Sequence, residues 1–133
     1  MAKWLIKGEP DSYGWAELVR DGGTEWDGIR NAAAANNLRA MQVGDELLFY
    51  HSGAEKAIVG LARVARTARP DGDGGHWVSV RGEPVEALPR PVTLHEMRAA
   101  PALADMAAVR HGRLSVSPVS DEEWAAVVTM SAG

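Results

Sequence analysis

Cysteine is missing from all 133 residues, so neither a disulfide nor a thiolate metal site can form. No stretch approaches the roughly 20 apolar residues that span a bilayer. Met1-Ala2-Lys3-Trp4-Leu5-Ile6-Lys7 has only a short apolar stretch between lysines, which lacks the long apolar region of a signal peptide. These absences make a soluble protein of the reducing cytoplasm, with no membrane contact, the expectation. An excess of basic charge is also missing. Lys and Arg number 14 against 18 Asp and Glu, for a formal net charge of -4. Tight, nonspecific binding along a duplex, which depends on phosphate neutralisation, is therefore not expected.

Familiar catalytic motifs are absent too. There is no G-x-S-x-G elbow and no Walker loop. Gly72 to Gly75 is glycine-rich but does not sit between a strand and a helix. His51, His76, His95 and His111 lack H-x-x-x-H spacing, so no helical metal pair is expected. His51 and Ser52 are neighbours, and on a strand their side chains point to opposite faces. A hydrolase using His51 with a carboxylate is the weakest functional reading. No catalytic residue, metal or cofactor is expected.

What is abundant is tryptophan, with five in a short chain: Trp4, Trp15, Trp26, Trp77 and Trp124. Core and rim packing is their ordinary role. A place at the mouth of a pocket for one or two of them is the sharper alternative. The length suits one domain with its own core, residues 1–133.

Local patterns suggest short strands in mixed order. Strands are expected at Trp4–Lys7, Glu46–His51, Ile58–Arg66, Trp77–Arg81 and Leu114–Val119. Gly60 in the third of these marks a bulge or a close backbone approach. Pro70–Gly75 reads as a loop. Gly82–Pro91 is a proline-containing segment, extended at most over Val85–Leu88. Helices are expected at Gly14–Arg20 behind a Ser12 cap and at alanine-rich Ala32–Met41. Thr93 with Glu96, and Ser120 with Glu123, have capping-box spacing. They start helices at Leu94–Ala99 and Asp121–Met130. Pro101–Met106 reads as a turn or short helix. Without β-α alternation, an α+β domain with a curled sheet or small barrel fits best.

Three polar segments stand out. Trp26-Asp27-Gly28-Ile29-Arg30-Asn31 places an indole, a guanidinium and an amide together. Its plain reading is that Trp26 plugs the core while Arg30 pairs with a carboxylate. Tyr50-His51-Ser52 ends an apolar strand with three hydrogen-bonding groups, and Arg113-Leu114-Ser115 opens the last strand.

Taken in order, these segments resemble the EVE domain family. The matching stretches include Lys3–Pro10, Trp26–Asn31, Asn36–Met41, Val43–Asp45, Phe49–Ser52, Ile58–Ala62, Trp77-Val78, Arg113–Val119 and Glu123-Trp124. The resemblance covers nearly the whole chain. It implies a PUA-like, mixed but mostly antiparallel β-barrel with peripheral helices, related to YTH and ASCH domains. It also implies a module that recognises a modified DNA or RNA base, such as a 5-methylcytosine derivative, in an aromatic pocket. By that likeness Trp26 is a cage wall stacking on the base and Trp77 a second wall. Tyr50, His51 and Ser52 edge the pocket, and Arg30 and Asn31 meet base edge or phosphate. Lys7, Glu9, Pro10, Gly28, Arg113 and Ser115 complete the expected binding set. Two stretches depart from the family pattern. Gly8 stands where serine is usual, and the Ala32–Ala35 run replaces an aromatic and an arginine. The expected partner is the modified base, with any effector, such as a nuclease, a separate protein. A small-molecule or nucleoside sensor using the same pocket is the alternative. Trp26→Ala is expected to abolish binding in a protein that stays folded.

Overall fold

The computed structural model describes residues 1–72 and 76–133. The loop expected over Pro70–Gly75 thus lies partly outside the described residues, at 73–75. Strand β1 (Lys3–Gly8) sends Trp4 and Ile6 into one core and Leu5 into another. Strand β3 (Glu46–His51) lies parallel to it and repeats the division, with Leu47 and Phe49 on one side and Leu48 and Tyr50 on the other. A strand covered on both faces must be apolar at successive positions, which is why this run shows no alternation.

Strands β4 (Ala57–Pro70) and β5 (Val78–Thr93) form a long antiparallel pair beside β3. Strand β2 (Thr24–Trp26) adds to β5, and β6 (Val116–Val119) adds to β1. The order is β2-β5-β4-β3-β1-β6. The sheet is mostly antiparallel, as expected, but it is open. No ladder joins β2 to β6, so the expected barrel is corrected to a six-stranded sheet. The two edge strands have three and four residues, and each pairs on one side only, β2 with β5 and β6 with β1. Helices cover both faces instead. On one side α2 (Trp15–Asp21) and α3 (Ala32–Ala40) bury Leu18, Ala34 and Leu38. On the other α4 (Leu94–Ala99), α5 (Ala107–Arg110) and α6 (Asp121–Ala132) bury Met97, Ala108 and Val127. Among the described residues no helix is long and apolar enough to cross a membrane.

The expected capping boxes are present. Thr93 Oγ1 accepts from Glu96 N at 3.1 Å, and Ser120 Oγ accepts from Glu123 N at 3.1 Å. Gly60 is a close approach, as read. A Cβ there would stand 2.5 Å from the Trp15 ring. Two expectations change. Ser12 does not cap α2; Gly14 does, with Glu17 Oε1 accepting from its N–H at 2.7 Å. Ser12 belongs to a separate turn, α1 (Pro10–Tyr13). Strand β5 also continues through Pro84, Pro89 and Pro91. Beyond Gly82 it has no β2 partner, and such an edge tolerates proline because one row of N–H groups goes unused.

Candidate functional site

Trp26 closes β2 and turns its indole into the core, where it meets Phe49 edge-on with ring centroids 5.8 Å apart. Gly82 makes this possible: a Cβ there would lie 2.3 Å from Cζ3 of Trp26. The indole lies against bare β5 backbone and is only 8% exposed. The expectation of an open aromatic platform is therefore corrected. Trp26 is a wall set into the core, and what remains exposed borders a cleft of about 550 Å3.

Three pieces of chain meet around that cleft. The end of β1 and turn α1 supply Lys7, Glu9, Ser12 and Tyr13. Strand β2 and the loop after it supply Trp26, Asp27 and Ile29. Strand β5 supplies Arg81, whose register partner on β2 is Glu25. Glu25 itself is spoken for: its carboxylate takes both terminal nitrogens of Arg66 at 2.8–2.9 Å and the Ser79 hydroxyl at 3.1 Å. The Lys7 ammonium is likewise engaged, donating to Gly112 O at 2.7 Å over the Tyr50 ring. Burial holds its pKa below the ordinary lysine value. The Tyr13 hydroxyl donates to Asp21 Oδ2 at 2.7 Å, and burial raises its pKa. Among the described residues, Glu9, Asp27 and Arg81 form no ion pair. The cleft thus offers two aromatic rings, two unpaired carboxylates and one unpaired guanidinium.

Only Lys7, Glu9 and Trp26 of the expected binding set line this cleft. Tyr50 packs into the opposite core at 5% exposure, because its position on β3 sends it to the other side of the sheet. His51 holds structure together. Its Nε2 accepts from Trp15 N at 3.0 Å, and its Nδ1 lies 3.2 Å from Glu55 Oε2. With Nε2 accepting, the proton sits on Nδ1 and is donated to Glu55. Neither nitrogen is left to act as a base on a substrate. Ser52 is tied to Gly8, whose carbonyl accepts from its N–H at 2.9 Å. Pro10 starts α1, and Ser115 offers its carbonyl to Lys7 N at 3.0 Å.

The loop residues separate in the same way. Asn31 is the N-cap of α3, its Oδ1 accepting from Ala34 N at 3.0 Å. With Arg113 it lines a different cavity of about 320 Å3. Asp71 Oδ2 accepts from Gly28 N at 2.8 Å and from Arg30 at 3.0 Å, which bears out the plain reading of Arg30. These two donors, Gly28 first, hold the Asp71 carboxyl below its usual pKa. Trp77 does not face Trp26 across the cleft. It stands under Arg30, 5.5 Å from ring centroid to guanidinium carbon, beside a third cavity. The second-wall role is corrected because Trp77 lines that other cavity and not the cleft beside Trp26.

Tyr13, Asp27 and Arg81 are among the cleft residues absent from the expected binding set. Asp27 and Tyr13 were within reach, beside Trp26 and three residues past Pro10. Arg81 was not, since only the pairing of β2 with β5 brings it to Trp26.

Comparison with known proteins agrees with this architecture. The EVE domain pattern matches residues 2–130. Thymocyte nuclear protein 1 of Danio rerio is 30% identical over 166 residues, covering 97% of this chain and 71% of the relative. A crystal structure of a protein from Agrobacterium tumefaciens superposes with a TM-score of 0.95 at 39% identity, over 98% of this chain and 93% of that one. The structure of human THYN1 in complex with 5-methylcytosine containing DNA superposes with a TM-score of 0.93 at 28% identity, over 100% and 99% of the two chains. A YTH domain from Zygosaccharomyces rouxii shares the fold at a TM-score of 0.62 and 16% identity, over 98% and 86%.

Proposed function

We propose, from the premise that this chain belongs to the EVE domain family, that it is a binding module which takes a modified nucleic-acid base into the cleft beside Trp26. The observation that carries this reading is the convergence of Trp26, Tyr13, Asp27, Glu9 and Arg81 on one opening. Its volume of about 550 Å3 is that of a small-molecule pocket. The complex of human THYN1 with 5-methylcytosine containing DNA supports the same reading.

The chemistry suits a base with an exocyclic amine. A carboxylate accepts from cytosine N4, so Asp27, beside Trp26, receives the amine while Arg81 serves a ring carbonyl or a phosphate. Ile29 offers apolar contact to a 5-methyl group. Tyr13, the partly exposed ring of the cleft, takes the stacking role, worth about 1–3 kcal/mol per base, and a buried methyl adds about 0.8 kcal/mol. Taking the base out of a duplex costs a few kcal/mol. An unpaired base is therefore held better than a paired one, and the modified base exceeds the plain one by only a few-fold. No catalytic step by this chain is needed. A response to the bound base falls to a separate partner, such as a nuclease, in the cytoplasm.

The test is titration of a single-stranded oligonucleotide carrying 5-methylcytosine against Arg81→Ala and Asp27→Asn. Loss of a hydrogen bond to a charged group costs about 1.5–3 kcal/mol, so each variant is expected to weaken binding about tenfold or more. Both side chains lie outside the core clusters, and both variants should melt like the parent. If both bind like the parent, the cleft is not the site. Equal affinity for the free nucleoside and the oligonucleotide would favour the sensor reading.

A further inference from the structure

Trp77 belongs to neither core cluster, and it lines a cavity of about 280 Å3 with Ala32, Ala35, Asn36 and Arg39 of α3. The two alanines bring no polar group and little bulk to the ring, while Asn36, Arg39 and His76 give the same cavity a polar side. One guanidinium, that of Arg39, lines it, and a second, that of Arg30, lies on the same indole. Arg30 lies over the ring at 5.5 Å and is held there by Asp71. Arg39 is fixed by Asn36 Oδ1 at 2.8 Å and by the His76 carbonyl. Among the described residues the lining contains no carboxylate, and Asp71 is paired with Arg30. A flat ring with fixed guanidinium groups at its side matches a nucleotide: the indole stacks on the base, whichever base it is, and the guanidinium groups meet phosphate.

The position of this cavity says which nucleotide. Asp27 and Ile29 line the cleft, and Arg30, one residue on, covers Trp77. One short loop therefore reaches both the cleft and the Trp77 ring. We infer that the Trp77 cavity receives the nucleotide flanking the base held in the cleft, so that two neighbouring rings of one single strand are bound on either side of the Asp27–Asn31 loop. This inference rests on the base-binding reading above. It also accounts for how a chain with net charge -4 engages a strand, through stacking and two local guanidinium groups instead of a wide basic face.

The experiment compares free 5-methyl-2′-deoxycytidine with a single-stranded trinucleotide carrying the same base at its centre, for the parent, Trp77→Ala and Trp77→Phe. All three proteins are expected to bind the nucleoside equally. The parent should bind the trinucleotide more tightly than the nucleoside. Trp77→Ala should lose about tenfold of trinucleotide affinity, the worth of one stacked base, and Trp77→Phe should recover most of it. Unchanged trinucleotide binding by Trp77→Ala overturns the flanking site and leaves the cleft standing. Trinucleotide binding that depends on Trp77, with no nucleoside binding by the parent, keeps the flanking site and overturns the cleft. A parent that binds neither probe overturns both.

Discussion

Replacing Trp26 by alanine separates a wall from a platform. The indole is 8% exposed, meets Phe49 edge-on and lies against Gly82. Truncating a buried tryptophan removes its transfer free energy and leaves a cavity, a cost of about 3–5 kcal/mol. Domains of this kind have a total stability of about 5–15 kcal/mol, so Trp26→Ala should consume a large part of it. Each kcal/mol moves the melting temperature by roughly 3–5 °C at this size. Thermal unfolding followed by circular dichroism should thus show a drop of about 10–20 °C. Trp26→Ala is therefore not the clean binding mutant that the sequence suggests, because lost binding would accompany a weakened fold. A melting temperature within about 3 °C of the parent, equivalent to roughly 1 kcal/mol, would refute the packing account and return Trp26 to the role of an open stacking face.

Three further outcomes are expected. Gly82→Ala places a methyl group where the Trp26 ring lies, an overpacking that costs about 1–3 kcal/mol; denaturant unfolding measures it, and parent-like stability would mean the ring moves aside freely. His51→Ala removes the acceptor for the Trp15 N–H, so chemical denaturation should show a loss of about 1–3 kcal/mol, with base affinity changed less than in Arg81→Ala; a loss of binding without loss of stability would place His51 in the site. The third concerns Asp71, whose carboxyl is held below its usual pKa by Gly28 N–H and Arg30. The stabilisation it gives the loop is fully present above the ordinary carboxylate range and fades as pH falls through its depressed pKa. The Gly28 amide resonance should shift over that acidic interval in the parent and stay flat in Asp71→Asn; a parent resonance that does not move would disprove the clasp.

Most elements were legible because their causes are local. Thr93 with Glu96 and Ser120 with Glu123 are three residues apart, and a capping box needs nothing more distant. Gly60 announced a close approach, although not that Trp15 makes it. The apolar run from Leu47 to Tyr50 marked a strand. What it did not show is that Tyr50 and Phe49 serve different cores, so two neighbours in the motif part company at the sheet. The openness of the sheet was also hidden, because it depends on which strands reach each other across space.

The amino-acid order alone determined the family, the α+β class and the segment carrying Trp26, because local spacing, turn chemistry and apolar runs act over a few residues. Tertiary structure decided which side chains share the cleft. Arg81 reaches Trp26 only through the β2–β5 ladder, and Trp77 stands in another cavity, under Arg30 of a loop clasped to Asp71 from 43 residues away. A cleft is made of side chains brought together by strand pairing and sheet sidedness, and those are properties of the folded chain as a whole.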